Sequence, residues 1–277
     1  LSGSGSVLVG SARRVLERSV RSRAFPLLRW PLLRVQGADP DTDSIERHLA
    51  QHLGVDVRIG VLLGTRRVNQ KPVLQIFDRA GSVLGYAKVG HNPLTAELVR
   101  REAEVLATVG DLLPVSFRIP QVLHHGQWAG LEVLVTSPLT TTDAPVAPAT
   151  RLAATRELSR LGDPTSTLLS ESSHAARLLA RVSSLRPTPQ VERLAASLDT
   201  ILAHDGGAEL CFGGWHGDWG HWNMGMSEEV LQVWDWERFD PSVPFGFDAL
   251  HFAAQLVRPG SKRAQRQETE FLQAAPG

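Results

Sequence analysis

The pattern of apolar and polar positions differs between the two halves of the chain. In the first half, short runs rich in Val, Ile and Leu alternate with turn residues, which is typical of strands. These runs are residues 55–63, 73–77, 83–89, 120–123 and 131–135. Arg79–Ser82 joins the second run to the third as a predicted hairpin turn. The pattern therefore predicts an antiparallel sheet in the first half.

Helical spacing of apolar residues marks the remaining segments. A helix is predicted over residues 44–53, with Asp41 or Asp43 as its cap and Gly54 at its end. A second helix begins at Asn92-Pro93 and extends to about Val109. The second half is predicted to contain helices at 151–161, 168–185 and 189–204, and the polar segment 159–173 is predicted to be a mobile loop near a substrate site.

A Thr/Ala/Pro-rich linker at residues 140–149 separates the two patterns. The predicted domains are an extension over 1–40, an N-terminal lobe over 41–139 and a C-terminal lobe over 140–277. The extension contains seven arginines and could lie on a membrane surface. Because Pro26 and Pro31 interrupt any long helix, packing on the first lobe with the arginines in solvent is the favoured interpretation.

Composition narrows the class of protein. The 277 residues include 29 acidic and 29 basic side chains, so no net charge attracts nucleic acid or an anionic membrane. Cys211 is the single cysteine, which excludes an internal disulfide framework and a Cys-rich zinc pattern. The sequence has no apolar run of transmembrane length. We expect a soluble, cytoplasmic protein that binds neither nucleic acid nor membrane.

One carboxylate lies inside the apolar stripe of the second predicted helix. Glu102 lies four residues after Leu98 and three before Val105, both apolar positions of that stripe. Burying a carboxylate without a cation would cost several kcal/mol. Lys88, late in the run 83–89, is the nearest cation in the chain that a strand also positions. Glu102 is therefore predicted either to lie at the edge of the stripe or to pair with a cation, for which Lys88 is the candidate.

The segment from Trp215 to Phe239 contains the strongest chemical signal. Asp218 follows His216-Gly217, Asn223 comes five residues later, and Asp235 follows a predicted hairpin that returns it beside Asn223. Two carboxylates and one carboxamide offer only oxygen ligands, the set that suits Mg²⁺. This spacing points to phosphoryl transfer, with one carboxylate as base and the other two groups as metal ligands.

The pattern His-Gly-Asp-x-x-x-x-Asn at 216–223, followed by Asp235, resembles the aminoglycoside phosphotransferase/choline kinase-like family. The resemblance implies a two-lobed, protein-kinase-like α+β fold and an ATP- or GTP-dependent transfer of the γ-phosphoryl group to a small-molecule hydroxyl. Asp218 would be the catalytic base and His216 would orient its loop. Asn223 and Asp235 would ligate Mg²⁺.

The resemblance also implies a nucleotide site in the N-terminal lobe. Lys88, paired with Glu102, would hold the α- and β-phosphates. The backbone from Val135 to Ser137 would hold the adenine edge.

The loop over residues 64–72 departs from the phosphate-binding patterns of kinases. It has one glycine, so it matches neither a protein-kinase Gly-rich loop nor a P-loop. Backbone N–H groups near Gly64 and Thr65 and the side chains of Arg66, Arg67 and Lys71 could still contact phosphates. A plain basic hairpin is the equal alternative.

Several neighbours of the central motif have two interpretations. Glu237 is a candidate second metal ligand or supporting group, and Asp248 resembles a position that braces the catalytic loop. Of the five tryptophans in this region, Trp219 and Trp222 are the candidates for an acceptor pocket, although core packing is the favoured role for the group.

Two other functions remain open. A catalytically inactive kinase-like binding module fits the Gly-poor loop, whereas the retained Lys88, Asp218, Asn223 and Asp235 argue against it. A metal hydrolase would use His216, Asp218, His221 and His251, but it would give the Lys88–Glu102 pair no purpose. A small-molecule kinase acting on a sugar, an amino-alcohol or an aminoglycoside-like acceptor is the favoured prediction.

Overall fold

A computed structural model describes residues 43–62, 68–228 and 230–256. The predicted extension over 1–40 and the loop residues Gly64, Thr65, Arg66 and Arg67 lie outside the described residues. The described chain forms two compact units. The first contains residues 43–62, 68–107 and 120–139, and the second contains 108–119, 140–228 and 230–256.

The first unit is built on a five-stranded sheet in which every pairing is antiparallel. The strand order is β1-β2-β3-β6-β5. The bounds are β1 Arg58–Leu62, β2 Val73–Phe77, β3 Val83–Gly90, β5 Val122–Trp128 and β6 Leu131–Thr136. The predicted N-terminal antiparallel sheet is confirmed.

Helix α1, Ile45–Leu53, packs its apolar side on this sheet. Leu49 is fully buried with Ile76 of β2 and Val133 of β6. The cap is Ser44, whose hydroxyl accepts a hydrogen bond from the backbone N–H of Arg47, so the prediction of an Asp cap is wrong for Asp43. Gly54 ends the helix at φ 70°, as predicted.

Helix α2, Pro93–Asp111, follows β3. The side chain of Asn92 accepts from the backbone N–H of Thr95, which caps the helix as its sequence indicates. The buried face contains Val99, Glu102, Ala103, Val105, Leu106 and Val109. Leu94, in the first turn of the helix, is 46% exposed.

The second unit combines helices with two small sheets. The helices are α3 Pro148–Ser159, α4 Ser173–Ser183, α5 Pro189–Asp205 and α6 Phe247–Leu256. One sheet has the order β4-β10-β9 and the other β11-β8-β7. Their strands are β4 Phe117–Arg118, β7 Thr165–Leu168, β8 Glu209–Trp215, β9 Met224–Ser227, β10 Val230–Val233 and β11 Asp240–Pro244.

Two predictions for the second unit are wrong. Residues 165–168 form a strand paired with β8 where the polar composition predicted a loop, and the helix predicted from 168 begins only at Ser173. Strand β8, which contains Gly213 and Gly214, was not predicted. In the structure a Cβ at Gly213 would lie 1.9 Å from the carbonyl oxygen of Ser159, so close packing against the end of α3 requires glycine.

The α+β class is confirmed, with antiparallel pairing in the first unit and both helices and short strands in the second. Within the described ranges, no helix combines the length and apolarity needed to cross a membrane.

Candidate active site

The β9–β10 hairpin places Asn223 beside the segment that carries Asp235. Met224 pairs with Val233, and the backbone N–H of Trp234 donates to the carbonyl oxygen of Asn223 over 3.1 Å. Asn223 is itself held by its N–H, which donates to the carbonyl oxygen of Gly220 over 2.9 Å. The hairpin and its return to Asn223 are therefore confirmed.

The side chain of Asn223 fixes Asp218. Its Nδ2 lies 3.0 Å from the carbonyl oxygen of Asp218 and 3.0 Å from Oδ2 of the same residue. The indole Nε1 of Trp222 donates to that Oδ2 over 3.3 Å. Both hydrogen bonds from the Asn223 side chain use Nδ2. They leave its carbonyl oxygen, Oδ1, which carries no proton and is the kind of atom that a cation binds.

His216 is fully buried and oriented by two hydrogen bonds. Its Nδ1 accepts from the backbone N–H of Asp218 over 3.2 Å, and its Nε2 lies 3.1 Å from the carbonyl oxygen of Trp234. A backbone N–H can only donate and a carbonyl can only accept, so the ring carries its proton on Nε2 and is neutral. The ring also packs at 4.8 Å between centroids against Trp236. These hydrogen bonds tie the ring to the backbone of Asp218 and Trp234, and the role of His216 in orienting a catalytic loop stays a prediction.

Asp248, in the first turn of α6, accepts hydrogen bonds from the backbone of the same loop. Its Oδ2 accepts from the backbone N–H of His216 over 2.8 Å, and its Oδ1 accepts from that of Gly217 over 3.3 Å. Burial raises the pKa of Asp248 to about 7, while the two backbone hydrogen bonds act in the opposite direction. Gly217 has φ 83°, and a Cβ there would lie 2.7 Å from Cβ of Arg238, so the turn requires glycine.

Asp235 and Glu237 present carboxylates to one place. Ligand oxygens of the two residues lie within 4.8 Å of each other, and Glu237 is only 5% exposed. Asp235 adopts φ 71°, an uncommon backbone conformation for a residue other than glycine. With Oδ1 of Asn223, these residues offer only oxygen donors, so the donor set fits Mg²⁺. In the sequence, Glu237 was a secondary candidate for a metal ligand, and its burial close to Asp235 is consistent with that candidate role.

In the first unit, Lys88 and Glu102 form the predicted pair. The Lys88 Nζ lies 2.6 Å from each carboxylate oxygen of Glu102. The Lys88 side chain is 18% exposed and that of Glu102 is 2% exposed. Glu102 lies on the buried face of α2, and Lys88 of strand β3 is the cation that pairs with it.

The predicted adenine-binding backbone lies at the end of β6. Val135 is fully buried in this strand, between β3 and β5. The backbone N–H of Ser137 donates to the carbonyl oxygen of Gln121 over 2.8 Å, and its hydroxyl accepts from the N–H of Gln121. The role of Val135 and Ser137 in nucleotide binding stays a prediction, as do the roles of the undescribed Gly64, Thr65 and Arg66.

The two tryptophans singled out for an acceptor pocket differ. Trp219 is fully buried and packs on His216, so it belongs to the core. Trp222 is 41% exposed and donates to Asp218, which leaves it as the better candidate to contact a substrate.

The histidines proposed for a metal hydrolase do not form a ligand set. Both ring nitrogens of His216 are hydrogen-bonded within the protein. His221 is exposed and packs on Trp222, and Nε2 of His251 lies 3.0 Å from the side-chain amide of Gln255. None of these histidines is part of the potential metal-binding groups found among the described residues.

No family model and no curated protein matches this chain. Among solved structures, it is similar to aminoglycoside phosphotransferase APH(3'')-Id from Streptomyces rimosus, solved with ADP and streptomycin: the identity is 20%, 77% of this chain and 85% of that chain are covered, and the TM-score is 0.47. It is also similar to APH(2'')-IIIa in its GDP and kanamycin complex, with 14% identity, 82% of each chain covered and a TM-score of 0.49.

A third similar structure is a candidate fructosamine-3-kinase from Haemophilus somnus, with 15% identity, 82% of this chain and 81% of that chain covered, and a TM-score of 0.45. By description, the three solved proteins are one kinase and two phosphotransferases. The similarity is distant, since none of the three identities exceeds 20% and none of the three TM-scores reaches 0.5.

Proposed function

We propose that this protein is a phosphotransferase that moves the γ-phosphoryl group of ATP or GTP to a hydroxyl of a small molecule. The observation that carries the proposal is the loop from His216 to Asn223. In it, one carboxylate, Asp218, is held by the amide of Asn223, while the Oδ1 of that amide is left for a cation. A loop built in this way supplies a base and a metal ligand in one rigid unit.

The residues of each unit have distinct roles in this proposal. In the second unit, Asp218 accepts the proton of the acceptor hydroxyl while that oxygen bonds to the γ-phosphorus and the bond from phosphorus to the β–γ bridging oxygen breaks. Asn223, Asp235 and Glu237 would hold Mg²⁺, which when bound neutralises charge on the phosphates. In the first unit, Lys88 would contact the α- and β-phosphates, oriented by Glu102.

The acceptor belongs to the class of sugars, amino-alcohols and aminoglycoside-like compounds. The exposed Trp222 supports a sugar face or an alkylammonium group near Asp218, because an aromatic face can stack on the first and attract the second. A catalytically inactive binding module is the alternative to be tested.

The test measures nucleotide binding and transfer separately. Thermal melting with Mg·ATP and Mg·GTP should show a rise in Tm, because a ligand that binds only the native state stabilises it. Release of ADP or GDP in the presence of a panel of sugars and amino-alcohols then reports transfer. Asp218→Asn should keep the rise in Tm and reduce transfer about 10²- to 10⁴-fold.

Asp235→Asn should lose the Mg²⁺-dependent part of the Tm rise, whereas Asp199→Asn, an exposed carboxylate on α5, should behave as the wild type. No rise in Tm with either nucleotide at millimolar concentration would contradict the proposal. A rise without transfer to any acceptor of the panel, unaffected by Asp218→Asn, would favour the binding module.

A further inference from the structure

Three histidines of the first unit come together away from the motifs discussed so far. His48 and His52 lie one turn apart on α1, and His124 lies on β5. The centroids of the rings are 4.4 Å apart for His48 and His52, 3.7 Å for His52 and His124, and 5.3 Å for His48 and His124. One ring nitrogen from each residue lies within 4.8 Å of the other two.

Two ring nitrogens of this cluster are buried polar atoms without a hydrogen-bond partner among the described residues. The Nε2 atoms of His48 and His124 are buried, and neither has a hydrogen-bond partner in the part of the chain that the structure describes. Buried polar atoms are nearly always hydrogen-bonded, so a pair of orphans aimed at one cluster calls for an explanation.

His52 is oriented for the same task. Its Nδ1 lies 2.9 Å from the backbone carbonyl oxygen of His48, so Nδ1 carries the proton and donates, and Nε2 has a free lone pair. A hydrogen bond from one ring nitrogen to a backbone carbonyl is the arrangement that fixes the tautomer of a metal-bound histidine. His52 can therefore offer an unprotonated Nε2, and the buried Nε2 atoms of His48 and His124 have no hydrogen bond among the described residues that would require a proton on them.

The charge state of the cluster also suits a cation. Burial, together with repulsion from His52, His48 and His125, lowers the pKa of His124 to about 4. Burial is also the main cause of the lowered pKa of His48, with Asp43 acting weakly in the opposite sense. Neutral imidazole is the form that binds metals, so at neutral pH no proton has to be displaced from these two rings.

We propose that His48, His52 and His124 form a binding site for a divalent transition-metal ion that ties helix α1 to strand β5. Imidazole nitrogen is the donor preferred by zinc, copper and nickel and is unlike the oxygen donors that suit Mg²⁺. In a tetrahedral zinc site with bonds of about 2.0–2.1 Å, neighbouring nitrogens lie about 3.3 Å apart. The ligand nitrogens of the three histidines lie within 4.8 Å of one another, so side-chain rotations that move each nitrogen by about 1 Å would bring them to that distance. Since His52 is exposed, the fourth ligand position opens to water.

The test uses Zn²⁺ as the probe on full-length, chelator-treated protein. Isothermal titration should show one zinc per chain, and Co²⁺ should give the visible absorption of a tetrahedral nitrogen site. His52→Ala removes an exposed ligand and therefore keeps the fold; it should lower zinc affinity by at least about 100-fold, since even losing a group outside the ligand shell costs 10- to 100-fold. His124→Gln should do the same, with its Tm checked first.

His204→Ala is the matched control, because His204 is an exposed histidine near the end of a helix and is not part of the cluster. It should bind zinc as the wild type does, and an excess of Mg²⁺ should leave zinc binding unchanged. The proposal is overturned if the wild type binds neither Zn²⁺ nor Co²⁺ at micromolar concentration, if His52→Ala binds zinc as tightly as the wild type, or if Mg²⁺ displaces the zinc.

Discussion

The loop from His216 to Asn223 and the histidine cluster of α1 and β5 both gather polar groups, but they differ in how those groups are satisfied. In the loop, both ring nitrogens of His216 and the side-chain nitrogen of Asn223 are hydrogen-bonded to protein atoms. Asp248 accepts a further hydrogen bond from the backbone N–H of His216. In the cluster, Nε2 of His48 and of His124 is buried without a partner among the described residues.

This difference indicates two ways of preparing a site. A loop whose polar atoms already have protein partners keeps its geometry whether or not substrate is bound, which favours catalysis by positioning. A cluster with orphaned nitrogens is complete only with a ligand, so its stability should depend on one.

The largest effect is expected at a third polar group, the ion pair of Lys88 and Glu102, in which each side chain has the other as a protein partner. Lys88→Met would leave the nearly buried Glu102 without its lysine, and we expect the free energy of unfolding to fall by about 3–5 kcal/mol. Urea unfolding measures the loss. The double variant Lys88→Met/Glu102→Met removes both charges and should recover most of it. A double variant no more stable than Lys88→Met would show that the charge is not the cause.

A smaller effect is expected from removing Asp248, which accepts two hydrogen bonds from the loop from His216 to Asn223. Asp248→Ala leaves the backbone N–H groups of His216 and Gly217 without their acceptor, at an expected loss of about 2–4 kcal/mol. Asp248→Asn is the matched control, since its one carbonyl oxygen can still accept, and it should lose less. Equal losses in the two variants would mean that volume, and not the hydrogen bonds, is what Asp248 contributes.

The parts of the structure that the sequence predicted are those in which one strong local signal was enough. The Lys88–Glu102 pair followed from a carboxylate inside an apolar helical stripe, because burial without a cation is too unfavourable. The return of Asp235 to Asn223 followed from a short turn between two apolar runs. The first unit's sheet followed from alternating runs and turns in the same way.

The parts that the sequence missed depend on contacts between distant segments. Strand β7 is polar, and only its pairing with β8 makes it a strand. The glycines of β8 resemble breakers because the approach of Ser159 that requires Gly213 comes from another element. The four-residue spacing of His48 and His52 on a predicted helix was a readable metal signal, but His124 lies far along the chain on β5, and only the folded structure brings it near.

The smallest effect expected is a pH dependence that belongs to the histidine cluster. The folded-state pKa of His124, about 4, lies below its ordinary value of 6.5. The folded protein thus binds this proton more weakly than the unfolded chain, so the stabilising contribution is complete above pH 6.5 and is lost as the pH falls through about 4. Because solvent screens these partly exposed rings, we expect a loss of about 1 kcal/mol.

Asp248 titrates over an overlapping range with the opposite sign, because its folded-state pKa is raised from 3.8 to about 7 and its contribution is lost as the pH rises. The term from His124 is therefore the difference between the wild type and His124→Gln, measured by urea unfolding between pH 4 and 7 without metal. That difference should shrink toward low pH, and saturating Zn²⁺ should enlarge it at neutral pH, because zinc stabilises only the protein with three ligands. If the difference in the free energy of unfolding is the same at every pH and does not change with Zn²⁺, the three histidines are only packed together. The cluster would then need no ligand and would not differ in kind from the loop from His216 to Asn223.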